Sequence, residues 1–91
     1  MSNNVRDNAD RRRFELDVGG QIAFAVYRRE DDALAITHTE TPVSLRGKGV
    51  ASALVRGLLD IARAQGLKVA PKCPFVAAYM DKHAEYADLR K

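Results

Sequence analysis

The stretch Leu45-Arg46-Gly47-Lys48-Gly49-Val50-Ala51-Ser52-Ala53-Leu54-Val55 joins a glycine-rich loop directly to a helical pattern. Gly47 and Gly49 tolerate positive φ and leave no side chain in the way of a close ligand. From Val50 the apolar residues Val50, Leu54 and Leu58 recur every fourth position, with Ala51, Val55, Leu59 and Ala62 beside them. The first N–H groups of such a helix have no carbonyl partner within it. They face the loop with the positive end of the helix dipole behind them, which makes an anion site. Arg46 and Lys48 add positive charge there. A Walker A loop is excluded, because the upstream glycine and the Lys-Ser/Thr pair are missing. A dinucleotide fingerprint is excluded as well, because position 52 is Ser rather than Gly. What remains is Arg-x-x-Gly-x-Ala, from Arg46 to Ala51.

Upstream of the loop the pattern has a period of two. Phe14, Leu16 and Val18 alternate with Arg13, Glu15 and Asp17, the mark of a strand with one dry face. Gly19-Gly20 is a hairpin turn signal. Gln21 to Arg28 reads as a second strand, apolar on both faces and therefore central. A charged turn, Arg29 to Asp32, leads into a third strand over Ala33 to Glu40. Strict alternation puts Leu34, Ile36, His38 and Glu40 on one face and Ala35, Thr37 and Thr39 on the other. Pro42 ends ladder pairing after it. Downstream, Gly66 is a left-handed helix stop after Gln65. A fourth strand spans Leu67 to Cys73, parallel to the third. Pro74 starts a second helix that Asp81-Lys82-His83 ends or bends, and Glu85 to Leu89 forms a last helical turn. Phe75 and Tyr86 are expected as core anchors, and His83 as a structural cap.

The fold class is thus α+β: β-β-β-α-β-α, a mixed sheet with an antiparallel meander and two helices. Ninety-one residues allow one domain, over 11–91, with residues 1–10 expected as a flexible polar tail. Hydrophobic residues are 46% and charged residues 30%, as in a globular chain rather than a disordered one. No apolar run reaches the roughly 20 residues of a membrane span, and Met1 to Asp10 lacks the apolar segment of a secretory signal. A single cysteine, Cys73, excludes an internal disulfide framework and a cysteine-rich zinc site, so a reducing, cytoplasmic setting without a metal is expected. The net charge of +3 suits a small anionic ligand. Arg11-Arg12-Arg13 fits the solvated start of a strand better than a nucleic-acid patch, because no interleaved aromatics accompany it.

Taken together, His38-Thr39-Glu40, the loop Leu45 to Gly49, Cys73-Pro74-Phe75-Val76-Ala77-Ala78-Tyr79 and His83-Ala84-Glu85-Tyr86-Ala87-Asp88-Leu89 resemble the minimal, single-domain branch of the GNAT superfamily of acyl-CoA N-acyltransferases. The resemblance covers about residues 13–90. It departs at Ala84, where that branch usually has Pro, and at Thr41, where it usually has Val. It implies a reduced GNAT-like fold and acetyl-CoA as co-substrate, held in a V-shaped opening between the third and fourth strands. The pyrophosphate would rest on backbone N–H groups of Gly47, Lys48, Gly49, Val50 and Ala51, near Arg46 and Lys48. The pantetheine arm would run along Glu40, Thr41 and Pro42, as far as the missing donor of Pro42 allows, with Tyr79 near the thioester sulfur. The branch lacks the N-terminal helices that shape an acceptor pocket, so the acceptor is left open: a small-molecule or exposed amine.

Acyl transfer needs a deprotonated amine, a stabilised oxyanion and a leaving thiolate. Glu40 could serve as general base, directly or through water, with His38 two residues away. Cys73, one residue before a helix N-terminus and next to Lys72, has the setting of an activated thiol. It could carry the acyl group, donate a proton to the leaving thiolate, or only pack. The alternative to an N-acetyltransferase is a CoA-binding module without turnover. Neither nucleic acid nor membrane is expected as a partner, and the chain is expected as a monomer or weak homodimer.

Overall fold

The computed structural model describes residues 4–91. Alternating apolar residues build a five-stranded sheet from β1 (Val5–Asn8), β2 (Arg13–Val18), β3 (Gln21–Glu30), β4 (Ala33–Glu40) and β5 (Lys68–Pro71), in that spatial order. The first three junctions are antiparallel, and β4 and β5 are parallel. Two helices follow the meander: α1 (Val50–Ala64), which crosses over from β4 to β5, and α2 (Pro74–Lys82). Short 3₁₀ turns cover Ala9–Arg11, Val43–Leu45 and Ala84–Leu89.

The meander follows its turn chemistry. Gly19 and Gly20 both have positive φ, 60° and 84°, and Gly20 N–H is held by the Asp17 carboxylate at 2.9 Å. That is the twist a two-residue hairpin needs. The next turn is tighter than expected. Arg28 and Arg29 continue β3, opposite Ala35 and Leu34, and only Asp31 and Asp32 turn, with Asp31 at φ 51°.

The N-terminal segment departs from expectation. Residues 1–3 of the expected tail lie outside the described residues, but Val5–Asn8 is a strand, paired from Val5↔Leu16 to Asn8↔Arg13. Val5 is the one large apolar residue that segment has to bury, and it joins the core at 6% exposure. Arg6 and Asn8 reach across to Glu15 from the same strand.

One face of the sheet carries the core. Phe14 and Leu16 of β2, Ala23 and Ala25 of β3, Leu34 and Ile36 of β4 and Val69 of β5 meet Leu54, Val55, Leu58 and Leu59 of α1. Val76 and Met80 of α2 join the same cluster, as do Tyr86 and Leu89. The helix α1 stops as its sequence prescribes. Gly66 sits at φ 70°, its N–H reaches Arg63 O at 3.1 Å, and Leu67 N–H reaches Ala62 O at 2.9 Å. This paired arrangement satisfies the last carbonyls of the helix. The observed β5 is shorter than the predicted Leu67 to Cys73, because its pairing with β4 stops at Ile36↔Pro71, where proline has no N–H to give. The C-terminus closes the outer side of β5: Lys91 N–H bonds to Val69 O at 2.9 Å and its ammonium to Asp32 at 2.6 Å.

The opposite face is covered by no helix among the described residues. Its centre is a buried carboxylate instead. Glu15, 2% exposed, accepts from Arg6 at 2.9 Å, Arg13 at 2.6 Å and Asn8 at 3.2 Å. The Arg13 guanidinium also lies 4.4 Å from the Phe24 ring centroid. Burial pushes the Glu15 carboxyl up, but the bonds from Arg13 and Asn8 and the charges of Arg13 and Arg6 outweigh it and hold it below its ordinary value. No helix among the described residues is long and apolar enough to cross a membrane.

A lowered folded-state value means that Glu15 contributes stability above the ordinary carboxylate range and loses it as the pH falls. Glu15→Gln is expected to cost about 1–3 kcal/mol at neutral pH, through weakened bonds and imperfectly paired donors. In urea denaturation the difference from wild type should narrow once the pH drops below 4.5, the ordinary value of this group. A difference that stays constant down the acid limb would contradict this account.

Candidate functional site

The site is set by one irregularity in β4. Opposite β3, Val26 pairs with His38, but the next residue, Tyr27, pairs with Ile36. Thr37 is therefore an extra residue, a β-bulge, and the alternation of faces reverses there. The expectation that Leu34, Ile36, His38 and Glu40 share a face is corrected by this bulge. Leu34 and Ile36 face the core, whereas His38 and Glu40 come out on the opposite face, level with Val26 and Phe24. Their side chains are 60% and 56% exposed, with His38 Nε2 3.9 Å from Glu40 Oε2. Thr39, opposite Ala25, is turned inward in their place.

Inward of Thr39 lies Cys73. Past Pro71 the strands β4 and β5 part, with Cys73 N–H still held by Ile36 O at 2.9 Å. Cys73 is the N-cap of α2 and is 7% exposed, with its Sγ 3.6 Å from Thr39 Oγ1. Burial pushes the thiol up. The Thr39 hydroxyl and the α2 backbone N–H groups of Val76 and Phe75 outweigh that, and the thiol rests below its ordinary range. Thr39 is thus a residue the sequence reading did not assign, since strict alternation paired it with neither Cys73 nor the cleft.

Beside this pair opens a cleft of about 380 Å³ between the end of β4 and the start of α1. It brings together Glu40, Thr41, Arg46, Gly47, Gly49, Val50 and Ala51, with Thr39, Leu45, Ser52 and Phe75 beside them. Gly47 and Gly49 have φ of 78° and 76°, and Gly49 caps α1 without a side chain. Ala53 N–H is the first to find an intrahelical partner, Gly49 O at 3.0 Å. The N–H groups of Val50, Ala51 and Ser52 are therefore the donors at this end of the helix. Arg46 is anchored over the loop, its Nε on Thr41 O at 3.2 Å, which leaves its two terminal amino groups for a ligand.

Lys48 does not line the cleft. Tyr79 does not line it either, because its ring stacks on His83 at 3.9 Å and meets Tyr86 at 6.3 Å. That stack follows from His83 folding back as the cap of α2, with Nδ1 2.8 Å from Tyr79 O. Phe75, expected as a core anchor, is instead 40% exposed on the cleft wall, while Tyr86 is buried as expected.

A family model described as GCN5-related N-acetyl-transferase matches residues 13–89. The chain belongs to that family. Its members transfer acyl groups to amines of small molecules or proteins, and this acetyltransferase is one of them. No curated protein matches the chain. Its fold is that of a solved structure, the NMR solution structure of a GCN5-like candidate N-acetyltransferase from Staphylococcus aureus. The two are 24% identical with a TM-score of 0.68, over 100% of this chain and 91% of the other.

Two tests follow for the acetyltransferase site. Thr39→Val should move the Cys73 thiol titration to higher pH, read from thiolate ultraviolet absorbance, and an unmoved curve would deny Thr39 its role. Gly49→Ala meets no atom within 4 Å, so its cost is conformational only. Urea denaturation should show a loss of about 1–2 kcal/mol, the penalty of a left-handed alanine.

Proposed function

We propose that this protein transfers an acetyl group from acetyl-CoA to an amine, either of a small molecule or exposed on a protein. The observation that carries the reading is the meeting of two features at the end of β4. A glycine-walled anion cleft lies on one side of Thr39, and the Thr39–Cys73 pair lies in the gap between the parted strands. The cleft suits the pyrophosphate of CoA: free helix-end N–H groups, an anchored arginine, and glycines that let a phosphate approach the backbone. Glu40, the last residue of β4, and Thr41 after it suit the amide-bearing arm of the co-substrate.

The chemistry divides between the two faces. His38 and Glu40 stand on the open face, where an amine arrives from solvent as ammonium. Either can take its proton, directly or through a water, because both are exposed and within 3.9 Å of each other. On the inner side, the lowered Cys73 thiol gives up a proton more readily than an ordinary thiol, which suits protonation of the leaving CoA thiolate. Its burial behind Thr39 fits that role better than open nucleophilic attack.

Acetyl-CoA at ~100 times its dissociation constant should raise stability by about 2.7 kcal/mol, and Arg46→Ala should reduce that gain. With an amine panel, Glu40→Gln combined with His38→Ala should lower kcat by about 10²-fold. No stabilisation by acetyl-CoA would sink the proposal. Stabilisation without transfer to any amine would favour the non-catalytic CoA-binding module.

A further inference from the structure

The arginine run is divided by the fold. Arg13 turns to Glu15 and Phe24, whereas Arg11 and Arg12 do not. Arg11 closes the 3₁₀ turn, and Arg12 follows it with φ 53° and ψ 49°, in the left-handed region. Its carbonyl accepts from Tyr27 N–H at 3.0 Å, which fixes this conformation against β3 beside the bulge. Glycine or asparagine would adopt it at lower cost. A strained residue that the backbone alone does not require points to its side chain.

Arg12 lines a groove of about 680 Å³, together with Arg11, Arg28, Arg29, Tyr27 and Thr37, so that four of its lining residues are arginines. Among the described residues, no hydrogen bond or ion pair engages the side chains of Arg11 and Arg12. Arg29 is held only through Nε, on Asp31 O at 3.2 Å. Arg28 pairs with Glu30 at 2.8 Å, but both side chains are exposed, at 64% and 42%, and such a pair yields readily to a competing anion. The nearby Asp7 carboxylate accepts from the Tyr27 hydroxyl at 2.7 Å. The groove shares no lining residue with the cleft at α1, although Thr37 and Thr39 stand only two residues apart on β4.

We infer that this groove is a second anion site, which binds a small ligand carrying two or more phosphate groups. Guanidinium forks match phosphate oxygens in pairs, and a groove walled by four arginines carries more positive charge than a single carboxylate would use. The volume lies within the roughly 300–1,000 Å³ of small-ligand pockets, and a concave wall that includes a tyrosine suits a compact ligand better than an extended strand. This assignment does not depend on the acyl-transfer reading.

The test is calorimetric titration of inorganic tripolyphosphate into the protein at about 0.15 M salt. Binding at a site that survives Arg46→Ala is expected. Arg12→Gly should weaken it at least about tenfold, the loss of a charged hydrogen bond. The same substitution should raise the thermal midpoint by a few degrees as the strain is released, so weakened binding cannot be ascribed to misfolding. Arg28→Gln should weaken binding as well, and Arg46→Ala should leave it unchanged, which separates this groove from the loop at α1. Absence of binding, equal binding by the Arg12→Gly variant, or loss of binding on Arg46→Ala would overturn the proposal. So would capture of a single-stranded oligonucleotide in place of tripolyphosphate, which would make the groove a nucleic-acid contact.

Discussion

One inserted residue, Thr37, governs what β4 can do. A regular strand that buries Leu34 and Ile36 would also bury residue 38 and residue 40, and an unpaired histidine and glutamate in a core are costly. The bulge removes the conflict by reversing the faces between Ile36 and His38. The first half of β4 builds core, and the second half presents two polar side chains to solvent while sending Thr39 inward to Cys73. The four residues Thr37 to Glu40 thus set two polar side chains on one side of the sheet and a hydroxyl against a thiol on the other.

The same bulge coincides with the end of parallel pairing. The β4–β5 ladder stops at Ile36↔Pro71, one residue before Thr37, and from there the strands part. A parallel pair is closed only by its hydrogen bonds, and proline removes one at the point where the bulge shifts the other strand. The gap is held open rather than frayed. Cys73 N–H remains bonded to Ile36 O, Pro74 begins α2, and Leu45 is buried under the loop that turns back to α1. The helix that crosses between the two strands therefore has its N-terminus fixed beside the gap. Gly47 and Gly49, both left-handed, supply the sharp approach that a bulkier residue would resist.

Much of this was legible in the sequence, and the failures share a cause. The hairpin at Gly19-Gly20, the helix from Val50 to its stop at Gly66, and the start of α2 at Pro74 are written in residues with narrow backbone preferences. The cleft followed, because glycines, a helix start and Arg46 are contiguous in the chain. The bulge was not legible. Thr37 lies in an unbroken Ala-Ile-Thr-His-Thr-Glu run, and what reverses its faces is the pairing with β3, not a local signal. Strand β1 was hidden for a related reason. Its only large apolar residue is Val5, and its other ties, Arg6 and Asn8 to Glu15, are long-range. The stack of Tyr79 on His83 has no local signal either, since it is a contact made only once α2 ends.

The uncovered face depends on Glu15 for more than a salt bridge. Ile22, Phe24 and Val26 lie side by side along β3 on that face, and none is fully exposed. An apolar residue at position 15 would be an easier side chain to bury, since a desolvated carboxylate recovers its cost only through good partners. It would also extend that row into a continuous apolar patch, the kind of surface that seeks a partner. With glutamate there, Arg13 is drawn across Phe24 and Arg6 across Glu15 itself, so charged groups cover the strip that a helix would otherwise cover. The sheet supplies its own lid from side chains a few residues apart. It is a thin lid, and it ends short of His38 and Glu40, whose side chains stay exposed to solvent.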